Sequence, residues 1–93
     1  MPTYRKKPVD AVIDVRSHLE FWLGHLPGAI CVPVNALASD IAKHHNITTD
    51  SHILVYCGSG ARSAAAATTL SALGYRSVTD GGGIDAAREH FEP

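Results

Sequence analysis

Cysteine is scarce in this chain: Cys31 and Cys57 are the only two in 93 residues. That is too few for a disulfide scaffold, and the pair is not spaced for zinc. No apolar run reaches 18 residues, so a membrane span is excluded. The first ten residues, MPTYRKKPVD, carry charge but lead into no apolar h-region. No signal peptide is therefore expected and the cytoplasm is the expected compartment; a periplasmic location would follow if such a segment had been removed. Repeats and low-complexity tracts are also missing. So is any excess of positive charge, since the formal net charge is −1. Arg5, Lys6 and Lys7 cluster at the start, and from Pro8 onward five Lys/Arg face nine Asp/Glu, a net of −4. A body this acidic lacks the basic face that nucleic acid requires. What is present is 45% hydrophobic and 18% charged residues, the composition of a soluble globular fold and too apolar for disorder. Residues 1–9 read as an N-terminal arm, frayed and solvated, and residues 10–93 as a single domain.

Strand and helix signals alternate along that domain. Ala11–Val15, β-branched at Val12, Ile13 and Val15, reads as a buried strand. Ser17 can cap a short helix, with Glu20 in capping-box position and Gly24 at its end. Pro27-Gly28 marks a turn into a second strand, Ala29–Val32, closed by Pro33. Residues 35–45 show a helical face carrying Leu37 and Ile41. His52–Tyr56 is a nearly continuous apolar strand, as expected of one covered on both faces. Ala61–Leu73 is the longest predicted helix, ended by Gly74. Arg76–Thr79 reads as a fourth strand, Gly81-Gly82-Gly83 as a turn, and residues 84–90 as a last helix. The β-α-β-α-β-α-β-α order predicts an α/β fold: a mostly parallel sheet with helices on both faces. Its binding crevice should lie beyond the carboxyl ends of the strands.

At one of those ends stands Cys57-Gly58-Ser59-Gly60-Ala61-Arg62-Ser63. Small residues between a strand and a helix let backbone N–H groups converge above the sulfur, and the helix N-terminus adds to that field. Such a nest binds anions and favours thiolate over thiol. Arg62 is expected to add a fixed positive charge. An inert packing role suits Cys31, mid-strand between Ile30 and Val32, but not Cys57, whose neighbours are glycines and an arginine. His44 and His45 are adjacent, so on a helix they point apart, and no metal site is read from them.

The motifs Val12-Ile13-Asp14-Val15-Arg16, Glu20-Phe21-Trp22-Leu23-Gly24-His25-Leu26-Pro27-Gly28-Ala29 and Val32-Pro33 resemble the first signature of the rhodanese family in order and spacing. Cys57-x-x-Gly60-x-Arg62-Ser63 resembles its active-site loop, and Leu73-Gly74-Tyr75 with Gly81-Gly82 the region after it. The resemblance covers about residues 10 to 88 and is greatest to single-domain rhodaneses of the phage-shock type. It implies a sulfurtransferase in which thiosulfate, or a similar donor, gives its outer sulfur to Cys57 and cyanide or a thiol takes it. The implied partners are thus a small-molecule donor and acceptor, with a protein-borne sulfur acceptor as a further candidate, and no cofactor. The family further suggests that Asp14, Arg16 and Glu20 support the loop's geometry, Arg16 and Glu20 lying four residues apart in ion-pair reach. One departure is plain: residues 84–87 lack the tryptophan that often follows the paired glycines.

Two rival readings use the same residues. A phosphatase or arsenate reductase of this fold needs a Cys-x5-Arg loop, which would place arginine at position 63, where Ser63 stands. A catalytically silent interaction module usually lacks the loop cysteine, which is present here.

Overall fold

The computed structural model describes all 93 residues. Four parallel strands form the main sheet in the order β4-β3-β5-β6. They are β3 (Ala11–Asp14), β4 (Ile30–Cys31), β5 (His52–Cys57) and β6 (Ser77–Gly83). The central strand β5 pairs with β3 through Ala11↔Ile53 to Asp14↔Tyr56, and with β6 from His52↔Ser77 onward. Side chains alternate across a strand, and β5 uses this to feed two cores. Ile53, Val55 and Cys57 face Ala66 and Leu70 of α3 (Ala61–Ala72) and Leu37 of α2 (Leu37–Asp40). Leu54 and Tyr56 face Leu26, Ala87 of α4 (Ile84–His90) and the chain's N-terminal residues. Helices on both faces explain why β5 is apolar from Ile53 onward. The sheet and its flanking helices are the expected α/β architecture.

Local signals set several element ends. Ser17 caps α1 (His18–Leu23): its hydroxyl accepts from the Glu20 N–H at 3.2 Å, while the Glu20 carboxylate accepts from the Ser17 N–H, also at 3.2 Å. The far end of α3 closes as a Schellman turn, the Tyr75 N–H donating to the Leu70 carbonyl at 3.1 Å.

Three segments depart from expectation. Residues 1–9 are not a frayed arm. β1 (Thr3–Tyr4) and β2 (Lys7–Pro8) join β7 (Phe91–Glu92) in a small antiparallel sheet, and Tyr4 and Val9 are buried. The apolar side chains of Tyr4 and Phe91 find a common core, which two-residue strands cannot announce by periodicity. The helix expected over 35–45 is shorter: α2 passes into a 3-10 turn at Ile41–Lys43 and stops at His44. No side chain caps its start, and His44-His45-Asn46 offers weak helix formers at its end. Lastly, the glycines at 81–83 do not turn; they carry β6 on to its end opposite Cys57. Gly81 and Gly83 supply small size, since a Cβ on Gly81 would stand 3.0 Å from Leu54 Cδ1 and one on Gly83 2.6 Å from the Gly58 oxygen, while Gly82, at φ +74° in open space, supplies the bend where β6 shifts register against β5.

Candidate active site

Cys57 ends β5 with its side chain fully buried. The chain turns at once through Gly58, Ser59 and Gly60 into α3, and Gly60 makes the turn possible by adopting φ +106°, a region that side chains rarely enter. The turn brings the Gly60 N–H back to donate to Cys57 Sγ at 2.9 Å. No side chain caps α3, so its first N–H groups stay available at the positive end of the helix dipole. The Ser63 hydroxyl donates to the Gly60 carbonyl at 3.0 Å and also faces the sulfur. Burial pushes the Cys57 thiol up, but the N–H groups of Ser63, Gly60 and Ser59, and the Ser63 hydroxyl when its one proton turns from the Gly60 carbonyl to the sulfur, outweigh it. The net shift is downward, toward thiolate. Cys31 goes the other way: burial, with the Asp14 carboxylate beside it, raises its thiol, which donates to the Arg16 carbonyl at 3.6 Å.

The supporting charges pair differently from the sequence expectation. Arg16 and Glu20 do not meet, because Arg16 precedes the helix cap and the four-residue rule holds only within a helix. Arg16 instead folds back on Asp14. Its Nη2 donates to Asp14 Oδ2 at 2.7 Å, Nε to Oδ1 at 3.0 Å, and the backbone N–H to Oδ1 at 2.9 Å. Nη2 also donates to the Gly24 carbonyl at 2.6 Å, tying the strand end to the end of α1. The guanidinium lies 5.8 Å over the Tyr56 ring, whose hydroxyl accepts from the Leu26 N–H at 3.0 Å. Burial raises the Tyr56 hydroxyl well above the usual tyrosine range.

Glu20 reaches across to the loop. Its two oxygens accept from Arg62 Nη1 at 2.7 Å and Nη2 at 3.0 Å. Arg62 holds the Glu20 carboxyl at about 2, against burial, with help from Ser17. Arg62 is therefore not the free positive charge expected beside the sulfur; its charge is balanced by Glu20. The pair spans Gly58 so closely that a Cβ there would meet Arg62 Nη2 at 2.9 Å. Gly83 is the support that sequence reasoning missed, and its signal was three glycines ending a strand parallel to the one that carries the cysteine.

Beyond the strand ends, Val15, Ser17, His18, Pro33, Val34, Asn35 and Arg62 line an open cleft of about 430 Å³. Its place, past the carboxyl ends of β3 and β4, is that of the binding crevice in parallel α/β folds. The site as a whole is a small-residue loop that turns N–H donors onto a buried, acidified cysteine and puts Arg62 into the lining of such a crevice.

A parallel α/β domain with a cysteine loop of this form is rhodanese-like in class. The family model described as "Rhodanese-like domain" matches residues 3–88. Thiosulfate sulfurtransferase PspE of Escherichia coli K12 is 35% identical over 72 residues, covering 77% of this chain and 68% of the relative. A sulfurtransferase of Allochromatium vinosum is 32% identical over 83 residues, covering 88% and 75%. Among solved structures, a rhodanese from E. coli with anions superposes with a TM-score of 0.75 at 29% identity, covering 88% of this chain and 95% of that one. Other relatives are much longer. The chain spans 19% of the HTH-type transcriptional regulator Rv0324 of Mycobacterium tuberculosis, which is 44% identical over 46 residues covering 50% of this chain. It spans 22% and 26% of two tRNA uridine(34) hydroxylases. The chain belongs to the rhodanese-like sulfurtransferase family. No helix in it is long and apolar enough to cross a membrane.

Proposed function

We propose that this domain transfers sulfane sulfur from thiosulfate, or a similar donor, to cyanide or a thiol, carrying it as a persulfide on Cys57. The observation that carries the reading is the Gly60 N–H at 2.9 Å from Cys57 Sγ, in a loop that leads into an uncapped helix. The Cys57 thiolate attacks the outer sulfur of thiosulfate, a new S–S bond forms, the old one breaks, and sulfite leaves with the electron pair. The resulting Cys57–S–S⁻ puts its negative charge on the terminal sulfur, where the N–H groups of residues 58–63 can receive it. The carbon of cyanide, or an acceptor thiolate, then attacks that sulfur. Thiocyanate or an acceptor persulfide departs and the Cys57 thiolate returns. A lowered thiol pKa makes a separate general base unnecessary.

Asp14, Arg16, Glu20 and Arg62 serve as positioning residues: Asp14–Arg16 fixes the end of β3, and Glu20–Arg62 clamps the loop. Only four residues separate Cys57 from Arg62, which suits a cradle for one sulfur rather than a tetrahedral oxyanion. The test is to add thiosulfate and weigh the intact protein. A gain of about 32 Da, lost on adding cyanide and absent from Cys57→Ser, is the expected result. Thiosulfate consumption without that adduct, or efficient hydrolysis of an aryl phosphate, would overturn the reading.

A further inference from the structure

The chain has eight lysine and arginine residues, and six of them find a carboxylate within 4 Å: Lys6, Arg16, Lys43, Arg62, Arg76 and Arg88. The two that do not, Arg5 and Lys7, line the same cavity, of about 280 Å³. We propose that this cavity binds a small organic anion: one carboxylate on a compact apolar body.

The site is built rather than incidental. Arg5 and Lys6 form the turn between β1 and β2 with φ of 50° and 70°, a conformation side chains rarely adopt. Two ties hold the turn there: the Arg5 N–H donates to the His90 carbonyl at 2.9 Å, and β1 is paired on both sides. The Arg5 guanidinium lies 5.6 Å over the Tyr4 ring. His52, also in the lining, is fixed through its backbone. Its N–H donates to the Asp10 carboxylate and its carbonyl accepts from the Asp10 N–H, each at 2.8 Å.

Tyr4, Pro8 and Val9 supply apolar surface, while Ile53, whose side chain packs on the far face of the sheet, borders the cavity only with its backbone. The volume is near twice the roughly 150 Å³ of a cavity that admits benzene, enough for a substituted ring. Asp80 also lines the cavity, and its Oδ1 already accepts from the Gly82 N–H at 2.9 Å. That one negative wall disfavours a second charge on the ligand and points to a monoanion. His52 opens the strand that Cys57 closes, so the cavity lies about 16 Å away along β5 and owes nothing to sulfur chemistry.

Benzoate is the probe, with neutral benzyl alcohol as its control, followed by amide chemical shifts of the full isotope-labelled chain. Benzoate should move the amides of Tyr4, Lys7, Val9 and His52 saturably, and benzyl alcohol should bind much more weakly. The Arg5→Gln/Lys7→Gln variant should weaken benzoate binding by about tenfold and each single change by about threefold, while Lys6→Gln has little effect. The single changes keep the test open if the double variant loses its folded spectrum. Cys57→Ser should bind as wild type does, which separates this site from sulfur transfer. Equal binding of benzoate and benzyl alcohol, shifts centred on residues 58–63, or affinity indifferent to Arg5 and Lys7 would each overturn the proposal.

Discussion

Replacing Gly83 with alanine probes how β6 supports the cysteine loop. Gly83 has φ −70° and ψ 156°, which alanine adopts freely, so the backbone itself resists nothing. The conflict is with a neighbour. An added Cβ would stand 2.6 Å from the Gly58 oxygen and 3.3 Å from its carbonyl carbon. These are backbone atoms and cannot swing aside as a side-chain tip could. Restoring an ordinary 3.4 Å contact requires about 0.8 Å of movement between β6 and the loop. Overpacking of this kind costs about 1–3 kcal/mol, so Tm should fall by roughly 4 °C or more. A comparable displacement of Gly58 carries the Gly60 N–H away from Cys57 Sγ, and the thiol pKa should rise. With the reacting sulfur misplaced, kcat/KM for thiosulfate should drop about 10–100-fold. Gly82→Ala is the control: Gly82 has φ +74° with open space around it, so alanine there costs stability without pushing on the loop. The assays are thermal melting, the rate of Cys57 alkylation against pH, and thiosulfate:cyanide kinetics on both variants. An unchanged alkylation profile in Gly83→Ala, or equal profiles in the two variants, would refute the reasoning.

Other outcomes follow from the site's geometry. Cys57→Ser should abolish thiosulfate:cyanide transfer and Cys31→Ser should keep most of it; equal damage in a kinetic assay would contradict the assignment of Cys57. Arg62→Ala should lower kcat/KM about 5–30-fold and raise the Cys57 pKa, because it removes a positive charge from the cysteine loop and leaves the Glu20 carboxylate unbalanced over Gly58. Adding Glu20→Gln to that variant should bring the alkylation profile back toward wild type, a recovery that a purely steric role for Arg62 would not give. Folding holds Glu20 at about 2 rather than its ordinary 4.5, so the Glu20–Arg62 pair stabilises fully above about pH 4.5 and fades as pH falls toward 2. The pair is more than a third exposed, so the effect should be below about 1 kcal/mol. Urea unfolding of wild type and Glu20→Gln should show a stability gap near neutrality that closes over that acid range.

Much of this fold could be read from local chemistry. Ser17 and Glu20 announce a helix start whatever surrounds them, and the apolar run of residues 53–56 fits only a strand covered on both sides. The placement of Cys57 was legible for a related reason: glycines between a buried strand and an alanine-rich helix set it at a strand end, beneath a loop that turns its N–H groups back. The unread parts depend on partners distant in sequence. Nothing near Arg62 foretells Glu20, 42 positions away, and the i,i+4 spacing of Arg16 and Glu20 misleads because Arg16 lies outside the helix. Glycine identity signals both a turn and a close approach, and at 81–83 only the neighbouring strand distinguishes them. Thr3-Tyr4 and Phe91-Glu92 become strands only once each has the other to pair with.

That last pairing sets how the fold connects to anything else. Thr3 lies opposite Glu92, so the polypeptide enters and leaves on adjacent antiparallel strands, about 5 Å apart. A domain with its doorways side by side can be spliced into a surface loop of another protein without stretching the host. A short linker could equally join the two ends, with new ends cut in the exposed His45-Asn46 turn, leaving β5 and its cysteine loop uninterrupted.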